Sequence, residues 1–453
     1  MINTMNNSPS IQFINHASVV IKHDEVSLLS DPWYQGDAFH KGWNLLHELN
    51  DDEIQELLDQ ITHIWISHEH PDHFSIMFFK KFGKLIQEKN IEILFQKTKD
   101  KRVETFLSKA GYKNRIIDFN NWIKLANNFE ILCIKDGFYD SGLAVKAGDK
   151  KILNLNDCEV KDKSRCMEVH EIVGDCNVLI SQFSYAAWKG GVKNVDWRKK
   201  AASEKIETLK LQVKYFKPEL LIPFASYVYF SNESNSYLND SSNKPQDVIE
   251  AFSNHKVKVN VMKPFDVILD DELNPNNDEA ITFWNNKYEG LKKKEFTRYE
   301  NIKPDELKSS FSLYKERVFN NNSFWFMRAI RLLSPIPAFK PIVIKVLDHN
   351  KNYILDLFSK ELTTTSNKAH LSMQSESFNF LMNNTFGFDT LTVNGCFEEE
   401  CKSGFSIATR SLAIENLNNI GISVRPRIIF NFRVILMFIS RLFKVAKKID
   451  STS

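Results

Sequence analysis

The sequence is poor in cysteine and carries no excess of charge of either sign. Its 453 residues include only 6 cysteines, and none of them forms a C-x-x-C pair, so a disulfide scaffold is not indicated and a reducing cytosol is the expected location. The 59 basic and 57 acidic side chains nearly cancel, which argues against nucleic-acid binding. With 43% apolar residues, the chain is long enough to bury a large core in two or three domains.

Long apolar runs are also missing. No uncharged apolar stretch reaches the roughly 18 residues that span a bilayer, and residues 1–10 lack the apolar centre of a secretory signal, so we expect a cytoplasmic protein. One segment is unusual, because Arg425–Lys448 is strongly apolar yet contains seven cations and no acid. It favours either a helix docked on its own domain or an amphipathic helix lying peripherally on the inner face of an anionic membrane.

Short strands alternate with helices through the first part of the chain. Apolar segments such as residues 18–21, 64–66 and 220–224 are separated by stretches with helical spacing, in both halves of this region. This order predicts an α/β chain folded as an αββα sandwich. The acidic, asparagine-rich stretch Asp270–Glu279 predicts a boundary, which gives a first domain over residues 1–275 and a mixed α/β C-terminal domain over residues 276–453.

The strongest local signal is the heptapeptide SHEHPDH at Ser67–His73, which follows an apolar strand and precedes a helix. Three imidazoles and two carboxylates lie within six positions, and these groups are the ligands that hold zinc, iron or manganese. His68 and His70 share one face of an extended segment, since alternate residues of a strand point the same way. Asp72 and His73 lie at the turn that follows, where they can reach a second metal.

This H-x-H-x-D-H pattern resembles the signature of the metallo-β-lactamase superfamily, whose fold is an αββα sandwich. The resemblance implies that His68 and His70 bind one divalent metal and that Asp72 and His73 bind a second. It also implies a bridging aspartate, for which the candidate is Asp157 at the end of a predicted strand. With a single metal, Asp72 is instead a candidate general base.

Further residues match features that surround the metals in this superfamily. Asp31, in the Asp-Pro pair that ends a strand, resembles the aspartate that orients the metal loop by hydrogen bonding. His16, in the segment Asn-His-Ala-Ser, is a candidate for lining the site or for a structural role. Tyr185, Ser226 and Tyr227 belong to loops that border the active site of this fold, so they are candidates for substrate contact or for packing.

The resemblance is incomplete at two ligand positions. No histidine occurs between His73 and His170, where the superfamily has a ligand, and Asp136 is the candidate replacement, with a turn aspartate as the alternative. Residues 222–227 replace the last histidine of the superfamily pattern. The predicted site is therefore richer in oxygen than a two-zinc hydrolase site, which favours iron or manganese, or a single metal.

Several segments, taken in order, also resemble the catalytic region of the CMP-N-acetylneuraminate hydroxylase family. They are residues 70–75, 135–137, 151–158 and 222–227. That family feeds electrons to its site from a Rieske cluster held by two cysteines and two histidines, and this sequence lacks such a set. The resemblance thus implies an iron-dependent monooxygenase that takes electrons from a separate protein and acts on a nucleotide-sugar-like molecule.

Two enzyme functions and one binding function are open at this point. Metal-activated water would give a hydrolase, which we slightly prefer, and iron with dioxygen would give an oxygenase. The third hypothesis is a non-catalytic binding protein with an eroded metal site. The expected cofactor is one or two divalent metal ions, zinc or iron with manganese as an alternative, and the expected partner of the enzyme is a polar small-molecule substrate.

Overall fold

The structure is a computed structural model that describes residues 8–99, 101–269, 277–334 and 337–430. It contains two compact units, Met1–Arg298 together with Val393–Gly395, and Tyr299–Thr392 together with Cys396–Ser453. The division lies later than the boundary predicted at residue 275. Most of the predicted basic tail, Arg425–Lys448, falls outside the described residues.

The first unit is built on two seven-stranded sheets and one separate strand pair. Its strands are β1 (Ser10–Asn15), β2 (Ser18–His23), β3 (Val26–Ser30), β4 (Trp43–Leu45), β5 (His63–Ile66), β6 (Glu92–Gln96), β7 (Asn114–Ile117), β8 (Trp122–Ala126), β9 (Phe129–Asp136), β10 (Asp140–Ala147), β11 (Lys150–Asn156), β12 (Val178–Gln182), β13 (Leu220–Phe224), β14 (Val228–Phe230), β15 (Lys258–Val259) and β16 (Val267–Leu269). The strand order is β16-β1-β2-β3-β5-β6-β7 in the first sheet and β15-β13-β12-β11-β10-β9-β8 in the second, and β14 pairs with β4.

The helices of this unit lie between and after its strands. They are α1 (Asp51–Leu58), α2 (Ile76–Glu88), α3 (Arg102–Lys109), α4 (Lys163–Val173), α5 (Val195–Phe216), α6 (Pro245–Phe252) and α7 (Asp278–Gly290). Asn50 and Glu53 form a capping box at the start of α1, and the Ser75 hydroxyl accepts from Phe78 N to begin α2. The α2 cap fixes the point at which the histidine-rich loop ends.

Alternation along the strands separates the two faces of the first sheet. Ile64 and Ile66 of β5 pack in the cluster that contains α1, α2 and α3, whereas Trp65 between them belongs to the core shared with the second sheet. Strand β6 repeats this division with Phe95 on the helix side and Leu94 on the sheet side. Helices and two sheets therefore form four layers, and the predicted αββα sandwich is confirmed.

Several parallel strands of the second sheet end at the same edge of that sheet. Strands β11, β12 and β13 pair in parallel, so the residues that follow their carboxyl ends gather together. Asn156, Gln182 and Phe224 are the last residues of these three strands. This edge is where polar groups of the second sheet can meet the loop that follows β5.

Helix α7 belongs to the core of the first unit. Its Trp284 is fully buried, donates a hydrogen bond from Nε1 to the Met262 carbonyl at 2.8 Å, and lies 4.2 Å from the Tyr227 ring between centroids. Burial of a side chain of this size removes a large apolar area from water. The chain beyond residue 275 thus contributes to the packing of the first unit.

The second unit is a mixed α/β fold, as the predicted C-terminal domain requires. Its elements are β17 (Ile342–Val346), β18 (Lys351–Leu355), β19 (Thr363–Thr365), β20 (Leu371–Met373), β21 (Glu398–Glu399), α8 (Pro304–Asn321), α9 (Phe324–Leu333), α10 (Ser375–Asn383), α11 (Gly387–Asn394), α12 (Gly404–Leu412) and α13 (Ile414–Asn419). The sheet order is β19-β18-β17-β20-β21. Among the described residues, no helix combines the length and the apolar character that crossing a membrane requires.

Candidate metal centre

The loop Ser67–His73 joins β5 to the start of α2 and brings its imidazoles into the interior. The backbone N–H groups of His73 and Phe74 both donate to the His70 carbonyl, at 3.0 and 2.7 Å, which folds the loop into a tight turn. The side chains of His68 and His73 are completely buried. An apolar strand followed by this turn therefore presents ligand atoms at the edge of the first sheet.

Seven side chains form three overlapping groups in which potential ligand atoms lie within 4.8 Å of one another. The groups are His68, His70 and Asp140; His68, His73 and Asp157; and His16, Asp72 and His73. Each group contains two imidazoles and one carboxylate. Two imidazoles with one carboxylate is a ligand set found in both non-haem iron oxygenases and zinc hydrolases.

Asp157 lies between the two imidazoles that the groups share. Its Oδ2 is 3.7 Å from His68 Nε2 and 3.5 Å from His73 Nε2. On the first side, His68 Nε2 is 2.9 Å from His70 Nδ1 and 3.7 Å from Asp140 Oδ1. Asp157 thus lies next to an imidazole of each of the other two groups, which is compatible with the expected bridging role.

The second side of the centre is formed around Asp72. Its Oδ2 lies 3.3 Å from His73 Nε2 and 3.4 Å from His16 Nε2. His16 comes from the turn between β1 and β2, where the rings of Trp33 and His73 pack against it edge-on. The first hairpin of the domain therefore supplies an imidazole directly to the centre.

Buried polar atoms test whether these residues fit a metal. Among the described residues, Asp72 Oδ1, His73 Nε2, Asp140 Oδ1 and Asp157 Oδ1 are buried without a hydrogen-bond partner. Such groups are costly unless a partner satisfies them, and divalent cations bound in the three groups would supply such partners. The donor set of imidazole nitrogens and carboxylate oxygens fits zinc, iron or manganese.

Asp31 fixes the orientation of the ligand histidines through a set of hydrogen bonds. Its Oδ2 accepts hydrogen bonds from His73 Nδ1 at 2.9 Å, from the Ser67 hydroxyl at 2.7 Å and from Asn156 Nδ2 at 2.6 Å, while Oδ1 accepts from Ser67 N at 2.7 Å. The Ser67 hydroxyl in turn lies 2.9 Å from His68 Nδ1. With these Nδ1 atoms engaged, the Nε2 atoms of His68 and His73 are left for the centre.

Burial sets the charge state of the nitrogen ligands. It lowers the pKa of the His16, His68 and His70 imidazoles, because charged forms lose hydration, and the neighbouring His68 lowers the pKa of His70 further. A neutral imidazole keeps the lone pair that a metal requires. These three side chains are therefore prepared for binding at neutral pH.

The carboxylates respond to opposing effects. Burial works to raise the pKa of Asp72, but the His73 charge and the hydrogen bond with His16 hold that pKa well below its usual range. For Asp140, burial and the Asp157 charge raise the pKa to about 7. A dication at this position would favour the ionised form of Asp140, since opposite charge lowers the pKa of a carboxyl group.

Residues 10–123, which include His16 and the whole histidine-rich loop, match the beta-lactamase superfamily domain. Over these residues the chain is similar to the beta-lactamase superfamily. The similar proteins described next are named as two hydroxylases and one metallo hydrolase. The match covers the loop and the first hairpin, the two segments from which five of the seven ligand candidates come.

One sequence and two solved structures, among others, are similar to this chain. The cytidine monophosphate-N-acetylneuraminic acid hydroxylase of Pongo pygmaeus is 30% identical over 245 residues, which are 52% of this chain and 41% of that protein. CmlA, a diiron beta-hydroxylase from Streptomyces venezuelae, is 12% identical, with a TM-score of 0.43, over 58% of this chain and 55% of CmlA. Igni18, a metallo hydrolase from Ignicoccus hospitalis, is 15% identical, with a TM-score of 0.42, over 58% and 98%.

The structure brings Asp140, rather than the expected Asp136, next to the histidines of the loop. The Asp136 carboxylate receives hydrogen bonds from Glu159 N at 2.6 Å and from Arg165 Nε at 3.2 Å, and it belongs to none of the three ligand groups. Asp140 pairs with Asp136 across the β9–β10 hairpin and supplies the carboxylate instead. The sequence does carry this second carboxylate, because Asp140 is the first residue of β10 and closely follows Asp136.

The aromatic and hydroxyl candidates for substrate contact have structural partners. The Tyr185 hydroxyl donates to the Leu238 carbonyl, and the Tyr227 hydroxyl donates to the Pro223 carbonyl at 3.1 Å. The Ser226 hydroxyl accepts from Phe183 N at 3.2 Å and from Ser184 N at 3.0 Å. All three side chains are buried and hold the loops of the domain together, so their described hydrogen bonds favour the packing alternative.

Proposed function

We propose that this chain is a dinuclear iron-dependent hydroxylase of the beta-lactamase superfamily. The observation that carries the proposal is the set of three groups with two imidazoles and one carboxylate each, joined through Asp157. Non-haem iron enzymes that activate dioxygen use this ligand set and leave other metal positions open. The similarity to hydroxylases over about half of the chain supports the same choice.

Bound iron would supply dioxygen activation, and the protein residues would set its position and surroundings. His68, His70 and Asp140 would hold one ion, His16, Asp72 and His73 would hold the other, and Asp157 would join them. Asp31 and Ser67 would keep His68 and His73 in one tautomer, which maintains ligand basicity. The Phe39 ring, 5.7 Å from the His70 ring between centroids, and the buried Trp43 beside it would exclude water on that side.

The proposed substrate is a polar small molecule that resembles a nucleotide sugar. This part of the proposal follows the hydroxylase relatives, which act on a cytidine monophosphate sugar by name. The chain covers only 41% of the length of that relative, so the substrate of the whole relative is a proposal for this chain. Electrons would come from a donor outside these 453 residues, which contain no C-x-H and C-x-x-H pair for a Rieske cluster.

A metal-dependent hydrolase is the second candidate. The observation in its favour is the bridging position of Asp157 between two ligand groups, since paired metals also hold the attacking and leaving oxygens of hydrolytic reactions. In that case the two sites would hold zinc rather than iron. The choice of metal therefore separates the two candidates.

Metal analysis of the purified full chain, combined with Mössbauer spectroscopy, tests the proposal. We expect close to two equivalents of iron with a spectrum typical of coupled ions, and oxygen uptake after chemical reduction that exceeds that of the His68→Ala/His70→Ala variant. Two equivalents of zinc, together with no oxygen uptake by iron-reconstituted protein, would overturn the hydroxylase and favour the hydrolase. Less than about a tenth of an equivalent of any transition metal would favour a binding protein.

A further inference from the structure

Lys205 extends from α5 to the edge of the second sheet where the metal ligands gather. Its Nζ donates a hydrogen bond to Oε1 of Gln182, the last residue of β12. The Gln182 amide is itself fixed, because Nε2 donates to the Ala225 carbonyl at 3.2 Å. Since β11 and β12 are parallel neighbours, this edge also holds Asp157, which directly follows β11. The Lys205 ammonium is thus held beside the candidate bridging carboxylate.

A second lysine lies in the loop that leaves the same strand. Lys189 follows β12 in the segment between Trp188 and Gly190, and both Lys189 and Lys205 are partly buried. The positive charges of Lys189, Lys161 and Lys205 are close enough to disfavour one another. Several lysine side chains therefore lie close together on this side of the metal centre.

These two lysines differ from their neighbours in having no acidic partner. Within the part of the chain that the structure describes, no carboxylate lies within ion-pairing distance of Lys189 or Lys205, whereas Lys200 and Lys210 on the same helix pair with Glu204 and Glu207. The nearby Asp157 carboxylate is engaged between His68 and His73. Among the described residues, these two partly buried ammonium groups therefore have no close ion pair, and Asp157 and Glu204 attract them only from a greater distance.

An ammonium group removed from water is unfavourable unless an anion or several acceptors replace the lost hydration. The pKa values show this cost of lost hydration, because burial lowers the pKa of Lys205 to about 8 and also lowers the pKa of Lys189. Lys205 has three N–H donors and uses one on Gln182. Two donors are left for an oxyanion that approaches the centre.

We propose that Lys205 and Lys189 form an anion-binding subsite beside the metal centre, which receives a carboxylate or phosphate group of the substrate. The inference rests on the proposed function only in taking the metal centre as the place of reaction. The subsite would hold the anionic group of the substrate at the Asp157 end of the centre. Lys205 would therefore contact the substrate, and Gln182 would fix the orientation of the Lys205 side chain.

Chemical labelling of lysines in the purified full chain tests the subsite without measuring activity. Amines would be acetylated at pH 8 with sulfo-N-hydroxysuccinimide acetate, in sodium chloride, sodium phosphate or sodium acetate of equal ionic strength, and each site would be quantified by mass spectrometry. We expect phosphate or acetate to slow labelling of Lys205 and Lys189 at least fivefold, with Lys200 and Lys210 unchanged as internal controls. Protection by phosphate alone indicates a phosphate group of the substrate, and protection by acetate alone indicates a carboxylate.

Calorimetric titration of phosphate and acetate into Lys205→Met and Lys200→Met provides a second measurement. We expect the affinity for the protective anion to fall at least tenfold in Lys205→Met, to persist in Lys205→Arg and to stay unchanged in Lys200→Met, each variant being checked by its unfolding temperature. Equal labelling rates in all three salts, or equal affinity in Lys205→Met and wild type, would overturn the subsite. Metal content measured on the same samples, and repetition in His68→Ala/His70→Ala, separates failure of the subsite from failure of the metal site.

Discussion

Asp31 Oδ2 accepts a hydrogen bond from His73 Nδ1 at 2.9 Å, and both side chains are completely buried. This bond leaves His73 Nε2 facing Asp72 and Asp157. Asp31 is therefore expected to matter for metal affinity although it is in none of the ligand groups. Replacement of Asp31 by Asn should weaken metal binding about 10- to 100-fold, as is usual for partners of metal ligands. Competition with a chelator measures this, with the exposed Asp118→Asn as the matched control; equal affinities would contradict the role.

The double variant His68→Ala/His70→Ala should lose at least the metal ion proposed for His68, His70 and Asp140, because it removes both imidazoles of that group. Elemental analysis of the purified protein gives the result directly. The control is His255→Ala, which changes an exposed histidine outside these groups. Full metal occupancy in the double variant would show that the metal binds elsewhere.

Asp140 and Asp136 should respond differently to the same substitution. Asp140→Asn should reduce metal occupancy, since the Asp140 carboxylate lies beside His68 Nε2. The fold of this variant should stay intact. Asp136→Asn should leave metal occupancy near that of the wild type but reduce the free energy of unfolding by about 1–3 kcal/mol, because Arg165 loses a charged partner. Metal analysis and denaturant unfolding of both variants distinguish the two roles, and the opposite pattern would restore Asp136 as the ligand.

Stability of the metal-free protein should fall as the pH is lowered below 6.5. The pKa values of His16, His68 and His70 in the folded protein are lower than the ordinary value of 6.5, so the unfolded chain binds more protons in that range. The raised pKa values of His73 and Asp140 oppose the effect, with two groups of the centre against three. Metal loss in the same range adds to it, because protonated imidazoles do not bind metals. Thermal unfolding from pH 5 to pH 8, with and without chelator, checks the sign, and a stability maximum at pH 5 would refute it.

The basic segment Arg425–Lys448 stays a prediction from sequence, since most of it falls outside the described residues. If it binds an anionic membrane, a chain ending at Phe430 should cosediment with phosphatidylserine-containing vesicles several-fold less than the full chain, and salt should weaken the full chain's binding. Phosphatidylcholine vesicles serve as the control surface. Equal partition of the two chains would favour a helix docked on its own domain.

The sequence is most informative where ligands are consecutive. His68, His70, Asp72 and His73 lie in one loop whose local geometry follows from a strand and a capped helix, so their grouping could be expected before the structure was known. The αββα layering was likewise predictable, because alternating apolar residues fix which face of each strand is buried. Both depend on short-range patterns.

The contributions that could not be read from the sequence depend on long-range geometry. His16 reaches Asp72 across 56 positions of the chain. The choice of Asp140 over Asp136 depends on how the β9–β10 hairpin meets the loop after β5, which no local pattern encodes. Tyr185 lies in a loop that borders the site, yet its hydroxyl donates to a backbone carbonyl, and only the tertiary structure reveals that partner.

The burial of Trp284 has a practical consequence for work on the catalytic region alone. A fragment that stopped at residue 275 would leave the Tyr227 ring and the Met262 carbonyl without the indole that covers them. Such a fragment would present a fresh apolar surface to solvent and would be prone to aggregate when expressed. A recombinant fragment intended for crystallisation or metal reconstitution should therefore extend at least through Arg298, the end of the first unit's main segment.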